Sequence, residues 1–145
     1  MLPKDRQLIF FGGLFLFCLD RILKYLSLYF FRDNYLIIKI FGWTPFKNTG
    51  IAFGLPIPNY ITIFLSIPIL IAIVYFLFSD YNQNKNKIFL GLTTLFFGAL
   101  SNLVDRIIYS ATIDYWLLGT GIINLADILI IFGIYSLFVH RRFFI

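Results

Sequence analysis

The chain has 145 residues, 60% of them hydrophobic and 13% charged, with a net charge of +5 and a mean hydropathy of +0.87. A soluble domain of this size could not bury so much Phe, Ile and Leu, so the composition excludes an ordinary soluble fold and describes one integral membrane domain, residues 1–145. Lys4, Arg6, Lys85, Lys87, Arg141 and Arg142 flank the apolar runs instead of forming one patch, which excludes a nucleic-acid surface.

Four segments approach the roughly 20 apolar residues that a bilayer requires, at about Leu8–Leu28, Tyr60–Phe78, Ile88–Ile108 and Ile122–Val139. The first has a basic start like a signal peptide, but it runs on past Asp20 without a small-residue cleavage site. It reads as a retained span. Cys18, the only cysteine, excludes an intrachain disulfide and reads as a small buried hydrophobe. Pro68 lies midway along the second segment and is expected to kink it.

The basic flanks put both termini and the 79–87 connection on the cytoplasmic side. The two remaining connections then face outward. In the longer one, Tyr35–Phe41 reads as a strand, Gly42, Pro45 and Asn48-Thr49-Gly50 as turn positions, and Ile51–Leu55 as a second short strand. The expected fold is therefore all-α, four transmembrane helices with a small extracytoplasmic β-sheet in the first outer loop. The other connection, Tyr109–Gly121, reads as a link with Tyr115 and Trp116 as interfacial anchors.

Polar residues interrupt these spans at one depth. Asp20 and Lys24 fall in the outer part of the first, Asn102, Asp105 and Arg106 at the outer end of the third, and Asn124 and Asp127 at the outer start of the fourth. Asp114 lies in the loop between. An Asp or Arg inside hydrocarbon costs about 2.5–3.5 kcal/mol on insertion scales, so each group needs a reason. Asn102, Asp105 and Arg106 are spaced i, i+3, i+4 and should share a helix face, as should Asp20 with Lys24 and Asn124 with Asp127. Plainer readings exist for each: a helix ion pair for Asp20–Lys24, a near capping box for Asn124–Asp127, charge neutralisation for Asp105–Arg106. Their common depth instead predicts a single polar pocket opening outward.

All seven acidic residues are Asp, and His140 is the only histidine, placed in a basic flank. A histidine metal site is therefore not expected, and no cofactor is called for. Paired carboxylates remain. Two Asp in a poorly hydrated site cannot both ionise easily, so one keeps a proton; one can then activate water while the other protonates the carbonyl or leaving group. By position in helices, Asp105 and Asp127 form the favoured pair. A small proton- or cation-coupled carrier could use the same residues, although a carrier predicts polar groups reaching both faces, and a structural subunit is a third reading.

The motifs LDRILK around Asp20 and Lys24, KNTGIAFGL from Lys47, GALSNLVDR ending at Arg106, IDYW from Ile113 and NLAD ending at Asp127 occur in this order over nearly the whole chain. In this set the sequence resembles the lipoprotein signal peptidase (type II signal peptidase) family. The resemblance implies an aspartic endopeptidase of the bacterial plasma membrane, cutting prolipoproteins N-terminal to their diacylglyceryl-cysteine. It implies Asp114 and Asp127 as the catalytic dyad, with Asp105, Asp20 and Lys24 in support. Asn48, Asn102, Arg106 and Asn124 would hold substrate and frame the dyad, with Arg106 on a peptide carbonyl or lipid oxygens. Globomycin-type cyclic peptides would block the pocket, and a monomer among membrane lipids is expected. The sequence departs from the family pattern in two places. Ser101 stands where Gly is usual, and Tyr115-Trp116 replace a Phe-aliphatic pair, which bears on helix packing and substrate preference.

Overall fold

The computed structural model describes residues 2–50, 56–79 and 86–141. Four helices carry most of the chain: α1 (Lys4–Tyr29), α2 (Asn59–Phe78), α3 (Asn86–Tyr109) and α4 (Leu125–Arg141). Two connections supply strands, β1 (Tyr35–Ile38) with β2 (Phe41–Asn48), and β3 (Thr112–Leu118) with β4 (Gly121–Ile123). These strands form one antiparallel sheet in the order β1-β2-β3-β4. Chain connectivity puts the sheet at the end of the bundle where α1 and α3 finish and α2 and α4 begin.

The helices match the apolar runs. Among the described residues α2 and α3 are long and apolar enough to cross a membrane, while the apolar run of α4, Leu125–Val139, is shorter. α2 continues through Pro68 and buries only Leu70, Ile73 and Leu77, leaving Phe64, Ile71, Tyr75 and Phe78 exposed on its other faces. Such an inverted exterior suits a lipid solvent. Ile73, Leu77, Phe89 and Leu92 form an apolar core at the opposite end of the bundle from the sheet.

α3 is the central helix. It packs on α1 and α2, and most extensively on α4. Small residues bring α3 and α4 close together. A Cβ on Gly98 would lie 2.6 Å from the Ala126 carbonyl oxygen, and one on Gly133 would lie 2.8 Å from that of Gly91. Close backbone approach through small side chains is how apolar helices gain contact in lipid, where burial itself drives little. At Gly98 this contact fixes the first turn of α4.

Several expectations change. The strand read at Tyr35–Phe41 is two strands with a tight turn between them. Gly42 and Pro45, read as breakers, lie inside β2. A Cβ at Gly42 would meet the Tyr35 carbonyl oxygen at 2.5 Å, so glycine permits the pairing with β1. Pro45 falls where the β2–β3 register shifts between Trp43 and Phe46, the kind of irregularity that tolerates a missing N–H. The Tyr109–Gly121 link is largely strand, and Ile122 and Ile123 belong to β4 and not to the fourth helix. Tyr115 is fully buried and is not an interfacial anchor. Cys18 is exposed, because α1 turns Gly13, Asp20, Lys24 and Ser27 inward and leaves Cys18 off that face. The strand expected at Ile51–Leu55 lies outside the described residues, as do the Lys85 and Arg142 flanks.

Replacing Gly98 by Ala should separate α3 from α4 and destabilise the protein by about 1–3 kcal/mol, as overpacking does. Gly12, with nothing within 4 Å of its built Cβ, is the control. Gly12→Ala should leave the thermal midpoint in detergent unchanged or slightly raised, whereas Gly98→Ala should lower it clearly.

Candidate active site

The expected polar groups converge at the sheet end, and Lys24 lies at their centre. This ammonium, 1% exposed, reaches Asp20 at 2.9 Å, Asp105 at 2.8 Å, Asn102 Oδ1 at 2.8 Å and Ser101 Oγ at 3.3 Å. Arg21 makes a second ion pair with Asp105. Two cations thus meet two carboxylates in a nearly dry interior, where an unmatched charge would be strongly unfavourable.

Asp105 is fully engaged. Its Oδ1 takes Arg21, and its Oδ2 takes Lys24 and the Ile113 N–H at 3.2 Å. The carboxylate favoured on helix position alone therefore fastens α3 to α1 and to the start of β3. Arg106, expected on the same face, turns instead toward α2. Its guanidinium donates to the Gly50 carbonyl at 2.8 Å, Thr62 Oγ1 at 3.2 Å and Asn59 Oδ1 at 3.5 Å. The carbonyl that it holds is the protein's own, just beyond the residue Asn48 that ends β2.

Asp114 and Asp127 have a different environment, built from neutral amides. Asp114 is 1% exposed; its Oδ2 accepts from Asn48 Nδ2 at 3.1 Å and its Oδ1 from Asn124 Nδ2 at 2.6 Å. Asn48 Oδ1 in turn accepts from the Gly50 N–H at 3.1 Å, an Asx turn that holds the amide in place. Asp127, half-buried, accepts from Asn102 Nδ2 at 2.8 Å and from the Asn124 N–H at 3.2 Å.

The capping reading of Asn124 and Asp127 is correct as well. Asn124 Oδ1 accepts the Asp127 N–H at 2.9 Å while Asp127 accepts the Asn124 N–H, a reciprocal cap on α4. Asn124 therefore caps the helix with its oxygen and holds Asp114 with its nitrogen. That same nitrogen also reaches Asn102 Oδ1 at 3.2 Å and the Ile113 carbonyl at 3.3 Å. One residue thus touches both carboxylates, Asp114 with its side-chain nitrogen and Asp127 with its backbone N–H.

The electrostatics follow from this environment. Burial, and next the neighbouring Asp127 charge, push the Asp114 carboxyl up to about 6; the Asn48 and Asn124 hydrogen bonds and the Lys24 charge pull the other way. Such a group can exchange a proton near neutral pH. Among the described residues no three His, Cys, Asp or Glu side chains group as metal ligands.

Three contributors were not singled out in the sequence, Arg21, Asn59 and Thr62, and two others, Ser101 and Tyr115, were noted there for different roles. Arg21 adjoins Asp20 inside an apolar run, and the same rule of cost would have flagged it. Asn59 and Thr62, spaced i, i+3 at the start of α2, are a weaker signal. Ser101 does more than adjust packing: its hydroxyl donates to Asp20 Oδ2 at 2.6 Å.

An apolar helical bundle holding two carboxylates in a desolvated amide nest has the groups that aspartic-peptidase chemistry in a membrane uses. The model of the signal peptidase (SPase) II family matches residues 13–143. Lipoprotein signal peptidase of Clostridioides difficile is 32% identical over 116 residues, 75% of each chain, and that of Moorella thermoacetica is 31% identical over 127 residues, 84% of each. A bacterial membrane enzyme solved by the in meso method at 2.3 Å resolution superposes with a TM-score of 0.84 at 25% identity, covering 94% of this chain and 87% of that one. A second, at 1.9 Å, gives 0.79 at 26% identity, with 94% and 91% covered. This chain belongs to the signal peptidase II family. That membership sets the carrier and structural-subunit readings aside.

Substituting Lys24 by Met should leave buried Asp20 without a cation and Asp105 with Arg21 alone, and cost about 3–5 kcal/mol, the usual result of breaking a buried pair. Arg21, whose side chain is 24% exposed, is replaceable at smaller cost. Unfolding of both variants in detergent measures the difference.

Proposed function

We propose that the chain removes signal peptides from prolipoproteins in a bacterial plasma membrane, cutting N-terminal to the diacylglyceryl-modified cysteine with Asp114 and Asp127 as its dyad. One observation carries this reading. Asp114 and Asp127 are the two carboxylates of the site that meet only neutral donors and are joined through Asn124, while Asp20 and Asp105 are matched by cations. Burial and the neighbouring Asp127 charge raise Asp114 to about 6, which suits it to carry the proton that the pair needs.

In the proposed reaction the ionised partner takes a proton from water as its oxygen attacks the scissile carbonyl carbon. The protonated partner gives its proton to the carbonyl oxygen, forming a neutral gem-diol. Collapse of the diol moves a proton to the amide nitrogen and breaks the C–N bond, returning the pair to its starting state. Asn48 and Asn102 hold the carboxylates in orientation, and Arg106 keeps the segment after β2 against α2 and α3. The whole chain acts as one domain.

All four helices are assigned to the bilayer, with both termini cytoplasmic and the sheet lying on the extracytoplasmic face. Basic flanks support this orientation, and the exposed apolar residues Tyr35, Leu36, Ile37 and Ile38 along β1 suit a sheet lying against lipid. The signal peptide and acyl chains enter laterally from lipid. Globomycin-type cyclic peptides are expected to compete for the site, and the working unit is a monomer.

Asp114→Asn and Asp127→Asn should each lower processing of a lipidated prolipoprotein by about three orders of magnitude or more, with folding and insertion retained. A non-lipidated substrate should be cut poorly by the wild type. Asp105→Asn should lose activity or stability yet keep measurable turnover. Wild-type-like cleavage by either dyad variant would contradict the assignment.

A further inference from the structure

Tyr115 lies one residue after Asp114 on β3, so the pleat sends its side chain to the opposite face. That face is closed. Tyr115 is 0% exposed, its ring stacks on Trp43 with centroids 5.0 Å apart, and burial together with the Asp20 charge raises its phenol above the ordinary range. The hydroxyl therefore keeps its proton and uses it. It donates to Asp20 Oδ1 at 2.8 Å and accepts the Leu125 N–H at 2.9 Å.

Leu125 is the first residue of α4, and its N–H is one of the donors that a helix start leaves without an intrahelical partner. The next, that of Ala126, donates to Asp20 Oδ1 at 3.3 Å. The third, that of Asp127, is capped by Asn124. The opposite oxygen of Asp20 takes Ser101 Oγ at 2.6 Å and Lys24 Nζ at 2.9 Å. Asp20 thus seats the positive end of α4, where a carboxylate is favoured, and is itself oriented by one hydroxyl from β3 and one from α3. The Tyr115 oxygen therefore bridges the strand that carries Asp114 and the first turn that carries Asp127, on the face opposite the link made by Asn124.

We propose that Tyr115 and Ser101 are positioning residues for the peptidase reaction: acting through the Asp20 carboxylate, they lock β3 and α3 to the first turn of α4 and hold Asp114 and Asp127 at a fixed separation. This rests on the Asp114–Asp127 dyad. Both hydroxyls are fully buried, so neither can act by touching substrate. Their removal loosens the dyad geometry and leaves the binding surface in place. Small displacements of reacting groups cost up to about a hundredfold in rate.

The test is steady-state cleavage of a lipidated prolipoprotein by Tyr115→Phe, Ser101→Ala and the double variant. Rates are taken well below each thermal midpoint and normalised to folded protein. Tyr115→Phe should lower kcat about tenfold with KM within about twofold, and Ser101→Ala should lower kcat less. The double variant should fall short of the product of the two single losses, since both act on one carboxylate. Wild-type kcat in Tyr115→Phe, or single losses that simply multiply, would overturn the proposal. Should Tyr115→Phe not fold, Ser101→Ala decides alone: a kcat loss at constant KM supports the coupling and wild-type kcat overturns it. Asp114→Asn is assayed alongside. Turnover there at the wild-type rate sinks the dyad itself, whereas an inactive Asp114→Asn beside a fully active Tyr115→Phe sinks only the positioning role.

Discussion

A buried ammonium decides how the polar end of this bundle is arranged. Lys24 has three protons to give and no water to give them to, and it meets Asp20, Asp105, Asn102 and Ser101 from two helices. With Arg21 it balances the two carboxylates charge for charge. The arrangement is tolerable in an apolar interior because every member is matched, and removing Lys24 would leave Asp20 with no cation. Because Lys24 and Arg21 are spent on Asp20 and Asp105, the carboxylates of Asp114 and Asp127 have amides for partners. The ion cluster thereby separates two classes of Asp, those matched by cations and those held by neutral amides.

Depth and spacing made much of this legible beforehand. The apolar runs located all four helices, and the cost of charge in hydrocarbon picked out Asp20, Lys24, Asn102, Asp105, Asn124 and Asp127, which are joined in one hydrogen-bonded network. The capping pattern of Asn124 and Asp127 was read correctly, but its second use was not, because spacing shows that an Asn can cap and not where its free amide points. Preference for Asp105 over Asp114 had a similar origin. A helix position looks buried in sequence, while Asp114 sits in a short polar link whose strand character comes from pairing with β2. Pairing is long-range. Thr112, Ile113, Tyr115 and Trp116 favour a strand but do not show what it pairs with, and the same gap made Tyr115 look like a surface anchor. Pro45 and Gly42 misled in the opposite direction, since a bulge and a close strand contact use the residues that elsewhere end strands.

Family membership and physical reading support one another at different levels. Membership in the signal peptidase II family establishes a membrane aspartic-type peptidase, and the geometry bears on how such an enzyme could be built in 145 residues. The small residues Gly91, Gly98 and Gly133 bring α3 and α4 together, the sheet carries Asn48 and Asp114 to the helix ends, and the cap on α4 serves the site as well as the helix. Structural economy of this kind leaves few polar groups with a single role.

The central claim is that Asp114 and Asp127 share one proton, held on a buried Asp114 that titrates far above an ordinary carboxyl. Infrared difference spectra across pH, recorded on wild type and Asp114→Asn in lipid, measure this directly. The account predicts a protonated-carboxyl band in the wild type that disappears as pH rises through about 6 and is missing from Asp114→Asn. A wild-type spectrum with no such band, or the same band persisting unchanged in Asp114→Asn, would contradict it.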